Sequence, residues 1–337
     1  MSELLYADKP ELICPAGTPA SLKVAVDAGA DAIYCGFVGP TNARNFPGLN
    51  FSLEEMAKSV GYAHDKGAKL LCAINSFPSA GRTDIWKEAI DNAVSIGVDA
   101  IIIADIGMAD YMSQKHSNSR IHLSVQAGAS SPEAINFYTD RFDIKRVVLP
   151  RILTVAEIKK VHDEISCEIE AFIFGNIGMM AEGRCSLTNY VTGQSTNMDG
   201  VCSPANFVHY EEDEDQNLTT RLGEFAIDCI GCGQNAGYPT ICKGRYNVSH
   251  RKEYYAFEEP ISLNLTHLLP DLIKAGVTAL KIEGRQRSKS YIRSVVSSFR
   301  NAVDGYARGE TPDISDLLAL TEGHKQTEGA FKSKAWR

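Results

Sequence analysis

The chain has 337 residues, 44% hydrophobic and 23% charged, with a net charge of −8, which suits a folded globular protein of one large barrel or two ordinary domains. The acidic balance argues against a surface built mainly for nucleic acid, because phosphate contacts need clustered Lys and Arg. No apolar run reaches the ~20 residues that span a bilayer, and Met1 to Asp8 lacks the basic start and apolar core of a secretory leader, so a cytoplasmic protein is expected.

Short apolar runs alternate with helical patterns along the chain. Glu11–Gly17 predicts a first strand and its exit, and Thr18-Pro19 opens a helix with Thr as N-cap and Pro at the first helical position. Residues 31–36 form a second strand, followed by a helix capped by Ser52 with Glu55 three residues on, a capping box. Strand three spans 69–75, its helix 83–96, and strand four 99–105. Strand five spans 120–126 and its helix 132–142. Strand six spans 145–150, and the helix after it begins at Thr154 with Glu157 in the capping-box position. Strand seven spans 168–175, strand eight 278–284, and helices are expected at 268–275 and 290–307. The junctions Gly29-Ala-Asp-Ala-Ile, Gly97-Val-Asp-Ala-Ile and Gly276-Val-Thr-Ala-Leu repeat one helix-to-strand turn.

Eight such units predict a closed (β/α)8 TIM-type barrel over residues 1–310, with a long cysteine-bearing insertion at 176–262 and a C-terminal tail at 311–337. An open doubly wound sheet is the alternative, but no glycine-rich dinucleotide fingerprint follows strand one. Barrel active sites lie at the C-terminal strand ends, which selects Cys14, Cys35, Asn75, Asp105, Gln126, Arg151, Gly175, Glu283 and Arg285. Lys281 and Glu283 alternate with Leu280 and Ile282, so both point toward the barrel axis, as catalytic groups or as an internal salt bridge.

Five of the nine cysteines, Cys185, Cys202, Cys229, Cys232 and Cys242, fall in the insertion. Outside an oxidising compartment, clustered cysteines point to metal binding or catalysis rather than disulfides. One C-x-x-C pair with widely spaced single cysteines fits a [4Fe–4S] cluster better than zinc, which prefers two pairs. Zinc, a redox dithiol and unligated thiols stay open as alternatives. Cys14, Cys35 and Cys72 suit buried small hydrophobes instead.

Longer words carry a resemblance. Cys14-Pro-Ala-Gly17, Thr41-Asn-Ala-Arg44, Gly48-Leu-Asn50, Glu182-Gly-Arg-Cys185, Cys202-Ser-Pro204, Asn235-Ala-Gly-Tyr-Pro239, Cys242-Lys-Gly-Arg-Tyr246 and Lys281-Ile-Glu-Gly-Arg-Gln-Arg287 resemble the collagenase-like (PrtC-type) peptidases of unknown mechanism, within them the UbiU-like branch, from about Glu11 to Arg308. The resemblance implies an iron–sulfur protein of oxygen-independent hydroxylation, with Cys185, Cys202 and Cys242 as cluster ligands. It implies a heterodimer with a UbiV-like sister protein, a ubiquinone precursor and its lipid-carrier protein as substrate side, and a prephenate-like hydroxyl donor. Related branches hydroxylate bases of transfer or ribosomal RNA. The branch carries a further ligand where this chain has Gly178, so Cys232 or Cys229 is expected to replace it, Cys232 being nearer Cys242 in sequence.

Around that donor, Arg44 with Asn42 suits a carboxylate clamp or a loop brace, and Arg285 with Arg287 suits an anion site or pairing with Glu283. Asn75 and Gln126 suit substrate hydrogen bonding or closure of a strand end, and Tyr246 suits tuning of the cluster or packing. A peptidase is disfavoured, since neither a His-Glu-x-x-His nor a Gly-x-Ser-x-Gly motif occurs. An RNA-base hydroxylation factor of the same family and a non-catalytic scaffold with a structural cluster are the remaining rivals.

Overall fold

The computed structural model describes residues 9–45, 48–177, 186–194, 202–234, 238–310, 315–321 and 325–333. The barrel begins with β1 (Glu11–Pro15), α1 (Pro19–Asp27), β2 (Ala32–Cys35), α2 (Leu53–Asp65), β3 (Lys69–Ile74) and α3 (Thr83–Ser95). It continues with β4 (Ala100–Ile103), α4 (Ile106–Lys115), β5 (Ile121–Leu123), α5 (Pro132–Phe142), β6 (Ile144–Val148), α6 (Val155–Glu164) and β7 (Glu168–Asn176). The insertion holds α7 (Ser186–Thr192), the antiparallel sheet β8 (Val208–Glu212), β9 (Leu218–Leu222), β10 (Phe225–Ile230), and the hairpin β11 (Arg245–Val248), β12 (Arg251–Tyr255). The chain then returns through β13 (Ser262–Asn264), α8 (Leu269–Lys274), β14 (Val277–Ile282), α9 (Lys289–Ala307), α10 (Ser315–Leu318) and β15 (Gln326–Thr327).

Strands β1 to β7 pair in parallel in chain order, and β14 closes the cylinder by pairing with both β7 and β1 (Leu280 opposite Ala171 and Leu12). The barrel and its cysteine-bearing insertion after strand seven are therefore as expected from the sequence. β13 adds antiparallel to the far end of β7, and β15, from beyond residue 310, pairs with β13.

Local chemistry sets the helix starts. Thr18, Ser52 and Thr154 each accept a hydrogen bond from the backbone three residues on, and Ser21, Glu55 and Glu157 answer to complete capping boxes. Asp105 caps α4 by accepting from Met108 N at 3.0 Å. The expected strand five ends early: after Leu123 the chain makes a 3₁₀ turn at Val125–Ala127, because the Ser124 hydroxyl accepts from Gln126 N.

The main core lies between strands and helices. The bore itself holds a second, smaller apolar set, Ile13, Ala32, Tyr34, Leu71, Ala73, Ala100, Ile102 and Ala279. Half of these are alanines, and the space they leave takes long polar side chains from the opposite wall: His122, Arg146, Glu170 and Lys281, all buried. Period-two alternation aims them at the axis. Glu170 meets Lys281 at 2.5 Å and Arg146 at 3.6 Å, and Arg146 reaches Glu11 at 2.6 Å and Glu168 at 2.5 Å. A charge so buried is tolerated only because it is paired.

Candidate active site at the barrel mouth

The mouth is built first by the loop between β2 and α2. Asn42 is fully buried there: its amide donates to Phe37 O at 2.6 Å, and its Oδ1 accepts from Arg44 N at 2.9 Å and from Arg285 Nη1 at 3.1 Å. Gly36 makes room, since a Cβ on it would lie 2.8 Å from the Asn42 carboxamide carbon. Ala43 N donates to Asn75 Oδ1 at 3.0 Å, and Asn75 Nδ2 donates to Ser124 Oγ at 3.0 Å. Asn42, Asn75 and the Gln126 backbone thus form one polar belt across the ends of β2, β3 and β5. These sequence-expected substrate groups are brought together, and the bonds above are spent holding the loop and Arg285 in place.

Two guanidinium groups face one carboxylate above this belt, and a third lies buried beside them. Arg151 Nη2 donates to Glu283 Oε2 at 2.5 Å, and Arg44 Nη2 lies 4.0 Å from Glu283 Oε1. Arg285 is buried and has no carboxylate partner among the described residues; its Nε has no hydrogen-bond partner there. It rests 5.1 Å from the Tyr34 ring centre, a ring it shares with Lys281 Nζ at 3.9 Å. Burial pulls the Arg285 guanidinium below its ordinary range. An uncompensated buried cation attracts an anion.

Lys281 and Glu283 do not pair with each other. Two residues apart at the end of β14, they take different partners: Lys281 goes down to Glu170 and Glu283 goes across to Arg151. Burial lowers the Lys281 ammonium, and the contact with Glu170 opposes that. Sequence reasoning missed Tyr34 and Glu170. The signal for Tyr34 was available: with Ala32 it occupies the inward face of β2, where one aromatic among small residues must fill the bore. Cys14, Cys35 and Cys72 are buried, and burial pushes their thiols up, that of Cys35 to about 12. They pack as small hydrophobes. A groove of about 250 Å³ opens nearby between Phe37, Val38, Phe51, Leu53 and Ile85, but no basic side chain lines it.

Backbone contact sets the approach of β7 and β14 to the mouth. Gly175 has φ of 126°, and a Cβ on it would lie 2.7 Å from Glu283 Cβ. The next residue, Asn176, accepts from Lys243 Nζ at 2.5 Å. That bond docks the turn carrying Cys242 onto the end of β7, one residue from the Gly175–Glu283 contact.

The cysteine insertion has its own small core. Leu222, Ile227 and Ile241 are buried together, with Leu187 and Val191 of α7, Phe207 and Val208 packed around them. Cysteines flank this core: Cys242 follows Ile241, Cys229 lies two residues after Ile227, and Cys202 is tied to α7 by Thr188 Oγ1 donating to its carbonyl at 2.8 Å. Ser203 donates to Pro239 O, linking the same segment toward Cys242. Cys185 directly precedes α7 in sequence; it and Gly178 lie outside the described residues. Among the described residues no three His, Cys, Asp or Glu side chains meet as a metal site. Cys232 donates to Gln216 Oε1 at 3.2 Å, at the β8–β9 turn. Tyr246 donates to Ile241 O at 2.6 Å. Burial, with the Cys242 thiol beside it, pushes the Tyr246 phenol up to about 12. It braces the Cys242 turn.

The chain is similar to the tRNA hydroxylation protein P of Escherichia coli, at 31% identity over 96% of this chain and 75% of that protein. It is similar to the tRNA hydroxylation protein P1 of Bacillus subtilis, at 30% over 88% of this chain and 64% of that protein. It also matches the 23S rRNA 5-hydroxycytidine C2501 synthase of Escherichia coli, at 29% over 94% of this chain and 42% of that protein. It thus spans between two fifths and three quarters of these relatives' lengths, and they are hydroxylation proteins. The model of peptidase family U32 matches residues 17–335, and the chain belongs to that family.

Proposed function

We propose that this chain is an iron–sulfur protein of oxygen-independent hydroxylation, acting on the ring of a ubiquinone precursor together with a UbiV-like protein of the same family. The observation that carries the reading is the docking of the Cys242 turn, through Lys243 and Asn176, beside a mouth in which Arg151 and Arg44 face Glu283 and the buried Arg285 has no carboxylate partner among the described residues. Arg285, Arg44 and Arg151 would bind an anionic, prephenate-like donor. Asn42 orients Arg285, and Tyr34 stacks beneath it. Replacing ring C–H by C–OH balances when the donor R–OH leaves as R–H, so no dioxygen is consumed. Cys185, Cys202 and Cys242, with one further thiol, would hold a [4Fe–4S] cluster, whose contribution when bound is one-electron chemistry. The flanking of one small core by Cys202 and Cys242 is what fits these two to such a group.

The net charge of −8 favours the quinone ring over RNA. The relatives' own names favour the second reading, an RNA base. The experiment is deletion of the gene followed by anaerobic growth, with the quinone pool and the nucleosides of total RNA measured by mass spectrometry. The expected result is loss of quinone with an accumulated unhydroxylated precursor, restored by the intact gene. Normal quinone with a missing RNA hydroxyl would reverse the substrate, and normal levels of both would sink the proposal.

A further inference from the structure

Among the described residues the barrel mouth sets three arginine cations against one carboxylate. Burial raises the Tyr34 phenol, and Arg285, Glu283, Arg151 and Arg44 all act on it through their charge, so the four groups gather around one ring. Lys281 below them is balanced by Glu170. The surplus of positive charge at the mouth therefore suits a ligand with more than one negative charge.

Each arginine has a support other than Glu283. Arg151 lies 3.7 Å from the centre of the Phe172 ring, with its guanidinium carbon over the face. Arg44 Nη1 donates to Ala43 O at 3.0 Å. Arg285 is held by Asn42 Oδ1 and the Tyr34 ring. The cations thus stay in place whether or not Glu283 pairs with them, which makes the clamp ready for a ligand. Glu283 is held differently. Among the described residues its carboxylate meets Arg151 and Arg44 alone, and its side chain is 23% exposed. Its backbone is fixed to β7 by Glu283 N donating to Phe174 O at 2.9 Å. The carboxylate can therefore swing to solvent on its own side-chain torsions while the strand stays put.

We infer that Glu283 is a built-in stand-in for a ligand carboxylate: it holds the Arg151–Arg44 clamp and yields it to the second carboxylate of a dicarboxylate whose first pairs with Arg285. The inference rests on the reading above that the mouth takes an anionic donor, and adds the residue that sets which anions bind tightly. A monocarboxylate takes Arg285 and leaves Glu283 where it is. A dicarboxylate exchanges one ion pair for another at the clamp, so its second carboxylate adds little affinity in the wild type.

The test is calorimetric titration of the full chain, purified without air, with succinate, glutarate and butyrate. Glu283→Gln keeps the shape and removes the competing charge. It is expected to bind the better dicarboxylate at least about tenfold more tightly than wild type does. Its butyrate affinity should rise less than about threefold, since only a screened repulsion is lost. Glu283→Ala should behave as Glu283→Gln does. Arg151→Met in the Glu283→Gln background should return the dicarboxylate to the affinity of butyrate. Equal dicarboxylate affinity in Glu283→Gln and wild type overturns the inference alone. So does an equal gain for butyrate, which would mark a field effect without exchange, or a weaker dicarboxylate affinity, which would mean that Glu283 itself holds the ligand. If neither wild type nor Glu283→Gln binds any of the three, the anionic reading of the mouth falls and this inference with it.

Discussion

Arg285 is held by Asn42 and Tyr34 but by no carboxylate among the described residues, an arrangement that costs stability while no anion is bound. Replacing it with methionine keeps most of the volume and removes the buried charge. Arg285→Met is therefore expected to melt a few degrees above the wild type in a buffer of monovalent salts. It is also expected to lose the stabilisation that a dicarboxylate confers on the wild type by binding the folded state. Thermal denaturation with and without the dicarboxylate measures both, and a variant that melts lower yet keeps the ligand shift would contradict the role. Arg285 was legible from its place after a barrel strand. Its counterparts were not, because a cross-barrel partner is chosen by closure of the cylinder. The Lys281–Glu170 pair spans 111 residues, and the period-two pattern of either strand shows which residues point inward but not which partner they meet across the bore.

At the scale of single elements the sequence was most readable where one side chain satisfies one backbone group. The Thr154–Glu157 capping box stood in the sequence as it stands on α6. Thr154→Ala is expected to lower unfolding free energy by about 1 kcal/mol, measured by urea titration, with little change in slope. No loss would mean that solvent caps the helix equally well. Strand ends were less readable. Apolar runs continue past the last ladder bond when a polar side chain bends the chain, as Ser124 does after β5 and Asp105 does after β4. The insertion was recognisable by its cysteines. Its three-stranded sheet and hairpin were hidden because β8, β11 and β12 are largely exposed and so lack a clean alternation of buried and exposed positions.

Across the whole molecule, the ion network in the bore makes stability depend on acid. Burial alone would raise the Glu11 carboxyl, but hydrogen bonds and charge from Lys69 and Arg146 outweigh it and hold Glu11 below its ordinary range. Glu168 is lowered in the same way by Arg120 and Arg146. A carboxylate lowered on folding contributes stability that is present above its unfolded value, about 4.3, and that is lost as pH falls through the folded value. The unfolding free energy should therefore decline once pH drops below about 4.3. In Arg146→Met it should be smaller at pH 7 and fall less steeply on acidification. Denaturant titrations at several pH values check this, and equal acid slopes in the two proteins would refute it.

Among the described residues the insertion's apolar centre is separate from the barrel's and far smaller, with Leu222, Ile227 and Ile241 as its buried members. Cooperative units with so little enclosed surface open at lower free energy than the body that bears them. Amide protons of β8 to β10 should thus exchange with deuterium well before those of β1 to β7. This implies an order of folding, in which the cylinder is finished first and the thiol-bearing flap keeps breathing after it.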